Sequence, residues 1–210
     1  MHAAVKPHAP FHHHLAPLFH DRGLRKRIGI LGGSFNPAHD GHLGISIAAK
    51  KAAGLDEVWW LVSPQNPLKD KTGMAPLSQR LSLARKNYEK SWLRILNFEQ
   101  KYRLQLTIDT LHRLQTSLPY CHFVWIMGAD NLIQFPFWHQ SEKLARRCSI
   151  MVINRPSYGY QALASKGAFI LQRRRRKRNP RCLNRYFPAW SFVTHPRHDI
   201  SATQIRNSAY

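Results

Sequence analysis

A short apolar run, Ile28-Gly29-Ile30-Leu31, leads into Gly32-Gly33-Ser34-Phe35-Asn36-Pro37-Ala38-His39-Asp40-Gly41-His42, and a helical pattern follows from Leu43 to Lys51. A buried strand that turns through glycines into a helix leaves few folds open. Gly32 and Gly33 let backbone approach a ligand closely, and Gly41 allows tight entry into the helix. A helix start presents unpaired N–H groups and a partial positive charge, which suits phosphate. His39 and His42 stand three apart, on one helix face, where they can hold one anion together. Ordinary helix-start histidines or zinc ligands are the other readings of the pair. Zinc lacks a third ligand at sensible spacing.

The pattern then repeats. Glu57 to Val62, Leu93 to Phe98, Phe123 to Met127 and Ile150 to Ile153 read as buried strands. Helical segments run from Leu77 to Lys90, with Leu77, Leu81 and Ala84 on one face, and from Thr107 to Leu118, with Ile108, Leu111 and Leu114 inward. Short helices fill Asn131 to Arg147, Phe192 to Thr194 is a last strand and Ala202 to Asn207 a last helix. Strands separated by helices imply an α/β, Rossmann-like fold, a single domain with a parallel sheet covered by helices on both faces. Ligands of such a sheet sit beyond the carboxyl ends of its strands.

Residues 1–26 read as a disordered His/Pro-rich leader, with His12-His13-His14 as a metal-binding or tag-like alternative, and 27–210 as the folded domain. The net charge of +21 attracts polyanions of any kind. The run Arg173 to Arg178 reads as a solvated loop and leaves nucleic acid open as a partner. A basic nucleic-acid-binding protein is therefore one reading of the chain. The three cysteines, Cys121, Cys148 and Cys182, form neither a disulfide framework nor a metal knuckle. With no apolar run near the ~20 residues of a membrane span and no secretory signal, the cytoplasm is the expected location.

The glycine-rich segment resembles the signature of the nucleotidyltransferase superfamily, G-G-(S/T)-F-(D/N)-P-x-H-x-G-H. Ile200-Ser201-Ala202-Thr203-Gln204-Ile205-Arg206 resembles its C-terminal I-S-(S/A)-T-x-I-R motif, and Ser201 to Gln204 also has the spacing of a capping box. Thr107-Ile108-Asp109-Thr110-Leu111 and Pro64-Gln65-Asn66-Pro67-Leu68-Lys69 resemble motifs of one branch, the bacterial nicotinate-nucleotide adenylyltransferases. The resemblance implies the joining of nicotinate mononucleotide to ATP, giving deamido-NAD and pyrophosphate, with Mg²⁺ escorting ATP and no direct protein ligand to the metal.

It also implies roles residue by residue. His39, His42 and Arg206 act on the ATP phosphates as the catalytic set. Gly32, Gly33, Ser34, Phe35, Gly41, Arg155, Ser201 and Thr203 complete the ATP site. Ser34, Lys69, Thr107, Asp130 and Trp138 hold the mononucleotide: Lys69 between the reactants' phosphates, Thr107 on the nicotinate carboxylate, Asp130 on a ribose hydroxyl and Trp138 stacked on the pyridine ring. Asn36 replaces the commoner Asp, and Glu99 falls near a family acidic residue without an assigned job. A phosphopantetheine adenylyltransferase is the closest alternative; His39, Thr107 to Leu111 and Trp138 argue against it. Ring preference between nicotinate and nicotinamide, the oligomeric state and the use of the leader are not encoded in these motifs.

Overall fold

The computed structural model describes residues 26–64, 73–154, 158–172, 180–184 and 188–194. Most of the leader, Lys69, Arg155, the run Arg173 to Arg178, the Ile200 to Arg206 motif and the expected last helix lie outside the described residues.

Six strands form one sheet: β1 (Arg27–Gly33), β2 (Glu57–Val62), β3 (Leu93–Leu96), β4 (His122–Gly128), β5 (Ser149–Ile153) and β6 (Trp190–Val193). Their order is β3-β2-β1-β4-β5-β6, and every neighbouring pair is parallel. The chain walks outward from β1 to β3, returns beside β1 as β4, and walks out the other way. β1 and β4 therefore flank the point where strand order reverses, and the cleft of such a sheet opens at their carboxyl ends.

The strands are apolar over most of their length because both faces are covered. Adjacent tryptophans show the alternation: Trp59 and Trp60 are both 0% exposed, yet they belong to opposite core layers. One layer joins Ile28, Ile30, Trp59, Trp125 and Ile150 to Ile108, Leu111 and Leu114 of α4 (Thr107–Ser117). The other joins Leu31, Trp60, Val124 and Met151 to Ile45, Ala49 and Ala53 of α1 (Asp40–Ala53) and to Leu81 and Ala84 of α2 (Leu77–Tyr88). Gly54 ends α1 in the left-handed region, at φ 63°, where glycine carries no steric cost.

Some elements differ from the sequence expectation. The last strand runs Trp190–Val193 rather than 192–194, and β3 stops at Leu96, where a single turn of helix, α3 (Phe98–Lys101), takes over. After β4 the chain forms α5 (Ala129–Gln134), a 3-10 turn (Phe135–Phe137) and α6 (Ser141–Arg147). Two unforeseen short helices, α7 (Gly159–Leu163) and α8 (Lys166–Leu171), follow β5. They are too short to carry a readable helical period.

Gly167 sets how closely α8 lies on α5. A Cβ there would stand 1.9 Å from the Leu132 carbonyl oxygen, a backbone atom that cannot turn aside. Gly167→Ala must push the helices apart. It is expected to cost about 2 kcal/mol, as overpacking typically does, and to lower Tm by roughly 6 °C in a chain of this size; thermal unfolding followed by circular dichroism measures it.

Of the cysteines, Cys148 is buried and its thiol is pushed up to about 12 by burial, as suits a core residue rather than a nucleophile. No helix among the described residues is long and apolar enough to cross a membrane.

Candidate active site

Residues Ser34 to His39 join the carboxyl end of β1 to α1 through a tight turn. Phe35 adopts φ 46°, in the left-handed region that a phenylalanine rarely occupies. Burial holds it there: the ring is 1% exposed, stacks on Trp60 at 4.8 Å and 18°, and lies 4.6 Å from His42. Asn36 then ties this turn to the approach of α2. Its Nδ2 donates to the Gly73 carbonyl at 3.1 Å, and its Oδ1 accepts from the Ala75 N–H at 3.2 Å. An aspartate has no donor for Gly73, so the amide has a job of its own here.

The histidines meet as their spacing implies, by a different local geometry. His39 is the extended N-cap of α1 rather than a residue on its face, and His42 is the third residue inside. Each caps the other. The Gly41 N–H donates to His39 Nδ1 at 3.1 Å, and the His39 N–H donates to His42 Nδ1 at 3.2 Å. This is a capping box built from two imidazoles instead of Ser and Glu. Their ring centroids are 3.8 Å apart. Because both rings accept at Nδ1, the proton of each neutral imidazole resides on Nε2. Trp60 holds the helix start from below: its indole N–H donates to Ser46 Oγ at 2.7 Å, and Ser46 Oγ donates to the His42 carbonyl at 2.8 Å.

Gly32 lies under Trp125, with an added Cβ meeting that ring at 3.2 Å. Trp125 in turn meets Trp138 edge-on at 6.4 Å, and Phe135 flanks Trp138 at 5.6 Å. Trp138 is half-buried, anchored along one side by these two rings. Asp130 follows the carboxyl end of β4 as the second residue of α5, and its Oδ1 is buried with no hydrogen-bond partner among the described residues. A buried carboxylate oxygen without a donor is costly and marks a place where a ligand's donor fits. Thr107 is the first residue of α4, and Leu106 occupies the cap position with no capping side chain. That helix start therefore keeps its anion-binding character.

Two charged residues that the sequence left without a role are buried here. Glu99 is 8% exposed and receives hydrogen bonds from Thr110 Oγ1, at 3.2 Å, and from the Ser63 hydroxyl. Burial raises its pKa above the ordinary carboxylate range, although both hydroxyls work against the shift. Arg80 is 3% exposed on the inward face of α2, between Leu77 and Ala84 in the apolar pattern. A basic residue on that stripe was the one visible signal for it.

Because the strands are parallel, the turns after β1, β2, β3 and β4 all open at one edge of the sheet, with Ser34, His39 and His42 following β1, and Asp130 following β4, on that edge. The model of the cytidylyltransferase-like family matches residues 30–208 of this chain. A probable nicotinate-nucleotide adenylyltransferase from Gluconobacter oxydans is 41% identical over 184 residues, covering 87% of this chain and 94% of that protein. This chain belongs to the nicotinate-nucleotide adenylyltransferase branch of the cytidylyltransferase-like family. A probable nicotinate-nucleotide adenylyltransferase from Rhizobium etli is 39% identical, with 87% of this chain and 96% of that one covered. The fold of this adenylyltransferase-family chain is shared with Plasmodium falciparum nicotinic acid mononucleotide adenylyltransferase, solved with NaAD, at a TM-score of 0.65 and 20% identity over 87% of this chain and 83% of that one.

Proposed function

We infer that this protein transfers the adenylyl group of ATP to nicotinate mononucleotide, giving deamido-NAD and pyrophosphate. The observation that carries the reading is the pair of imidazoles at the amino end of α1, with ring centroids 3.8 Å apart and both Nδ1 atoms engaged in the cap. In the reaction, a phosphate oxygen of the mononucleotide attacks the α-phosphorus of ATP. The bond from that phosphorus to the oxygen bridging to the β-phosphate breaks, and pyrophosphate departs with the electron pair. The nucleophile is already ionised, so no general base is needed. What the protein must supply is alignment and donors aimed at charge that grows in the transition state.

His39 and His42 fill that role on the ATP phosphates, with the α1 amino end adding its partial positive charge. Gly32, Gly33, Ser34, Phe35 and Gly41 bring backbone close to the phosphates. The buried ring of Phe35 makes its contribution through the main chain. Asp130 Oδ1 accepts a ribose hydroxyl, which supplies the donor it lacks. Trp138 stacks on the pyridine ring, and the uncapped start of α4 at Thr107 receives the nicotinate carboxylate. By similarity to the family motifs, Lys69 neutralises the reactants' phosphates, Arg155 approaches the adenosine, and Ser201, Thr203 and Arg206 hold the β- and γ-phosphates from a second helix start. Residues 27–210 act as one catalytic domain, in the cytoplasm.

Among the described residues, no three His, Cys, Asp or Glu side chains group closely enough to hold a metal ion. Mg²⁺ keeps several waters and is held mainly by the substrate's phosphates, so its escort of ATP rests on the family resemblance. When bound, Mg²⁺ neutralises charge on the ATP phosphates. The high positive charge of the chain aids capture of polyanionic substrates at low salt.

A substrate panel tests the reading. With Mg-ATP supplied, pyrophosphate should be released with nicotinate mononucleotide, and more slowly with nicotinamide mononucleotide, which lacks the carboxylate for the α4 start. Phosphopantetheine should give none. Release with phosphopantetheine alone would reassign the chain to the neighbouring branch.

A further inference from the structure

Arg80 is placed against the usual rules of helix electrostatics. It sits in the first turn of α2, where the helix dipole disfavours a positive charge. It is 3% exposed, and no carboxylate among the described residues pairs with it. Its donors go to main-chain carbonyls instead. Nη1 donates to Ser34 O and to Ser63 O, the latter at 2.9 Å; Nη2 donates to Pro64 O at 3.2 Å and Nε to Ala75 O at 2.9 Å. These carbonyls belong to three separate segments: the turn after β1, the loop after β2 and the approach to α2.

The carbonyls matter for where the opposite sides of their peptides point. In a trans peptide, C=O and N–H are directed oppositely. The only cis bond among the described residues is Asn36-Pro37. Turning the Ser34 carbonyl down onto Arg80 therefore turns the Phe35 N–H away from it. The same hold acts with the packing of the Phe35 ring on the φ of 46°. Without the guanidinium, the Ser34 and Ser63 carbonyls would lose this donor, and the turns after β1 and β2 would keep the Ser63 N–H bond to the Gly33 carbonyl, at 2.8 Å, but lose this second tie.

We propose that Arg80 is a positioning residue for adenylyl transfer: by gripping the carbonyls of Ser34, Ser63, Pro64 and Ala75 from beneath, it aims the Phe35 N–H at substrate phosphate and fixes the spacing between the turns after β1 and β2. The proposal rests on the functional reading given above. Burial alone pulls the Arg80 pKa down, with no acidic group offsetting it, so a bound phosphate would be the compensating charge nearby. Ser63 extends the grip further, because its hydroxyl bonds to Glu99, which also receives Thr110 of α4. The loops proposed to carry ATP and mononucleotide are thereby linked through one buried set of hydrogen bonds.

Arg80→Lys keeps the charge but cannot fork onto four carbonyls. It is expected to retain the wild-type circular dichroism spectrum and to lose kcat/KM by about a hundredfold, the scale at which misplacement by an ångström acts. A merely structural role would lower Tm and leave the turnover of folded molecules alone. The second readout is the Phe35 amide resonance, observed with selective nitrogen-15 labelling. In wild type it should shift on adding ATP or nicotinate mononucleotide, and in Arg80→Lys it should not. Near-wild-type turnover in a folded Arg80→Lys would overturn the proposal, as would a Phe35 amide in wild type that responds to neither ligand, whether or not the variant folds. A wild-type protein with no turnover overturns the functional reading instead, while the response of Phe35 to ATP still decides on Arg80.

Discussion

Replacing His42 by Asn should cut kcat about a hundredfold or more while leaving Tm nearly unchanged. The capping geometry makes this substitution more informative than truncation. His42 has two nitrogens: Nδ1 accepts the His39 N–H and closes the cap of α1, and Nε2 is the donor proposed for phosphate. The Asn side-chain oxygen falls near the place of Nδ1, so the cap survives. Nothing in Asn reaches the place of Nε2. Loss of one aimed donor at a site of growing charge typically costs a factor of 10² to 10³. His42→Ala removes both functions and should show the same loss of kcat plus about 1 kcal/mol of stability from the broken cap. Steady-state release of pyrophosphate and thermal melting separate the two. An Asn variant as active as wild type would remove His42 from the chemistry.

The second large effect lies at the opposite end of the sheet. Glu57, at the amino end of β2, is 7% exposed and receives three donors: Lys26 Nζ at 3.0 Å, Arg94 Nε at 2.9 Å and the Trp59 indole at 2.9 Å. Burial works to raise its pKa, but the Trp59, Lys26 and Arg94 hydrogen bonds prevail and hold it below the ordinary glutamate value. Glu57→Ala removes the shared acceptor of the Trp59 indole and of the partly buried Lys26 and Arg94 side chains. A cost of about 3 kcal/mol is expected, at the lower edge of the range for broken buried pairs because both cations can reach water. That corresponds to a fall in Tm of roughly 9 °C.

The pH dependence has a definite sign. A carboxylate whose pKa is lower in the folded state contributes its full stability above the unfolded value, about 4.3, and loses it as pH falls through the folded value. Acid denaturation of wild type should therefore include a Glu57 component below about pH 4.3 that Glu57→Gln lacks. Turnover per folded molecule should not change, since the reacting groups sit at the other edge of the sheet.

Much of this arrangement was legible in the sequence, for a physical reason. A parallel sheet covered on both faces writes its strands as apolar runs, so Ile28 to Leu31, Glu57 to Val62, Phe123 to Met127 and Ile150 to Ile153 stood out. The glycines and histidines after β1 marked the site because they are expensive to place there for packing alone. Other features depend on contacts that no local pattern records. The Asn36 amide bonds residues 37 and 39 positions away. Arg80 interrupts an apolar stripe, and its partners are carbonyls, which every residue has. His39 was read as part of a helix face, whereas an extended N-cap with its side chain folded back brings the two rings together equally well. Gly167 is small because a neighbouring helix carbonyl leaves no room, a constraint visible only once α5 and α8 are packed.

The central claim is that two imidazoles, each anchored through Nδ1, present Nε2–H to the phosphates of ATP. A crystal structure with a non-hydrolysable ATP analogue tests it most directly. The account predicts phosphate oxygens within about 3 Å of Nε2 on both His39 and His42, the distance of a charge-assisted hydrogen bond. A triphosphate bound away from both rings, with His39 and His42 contacting only protein, would contradict it.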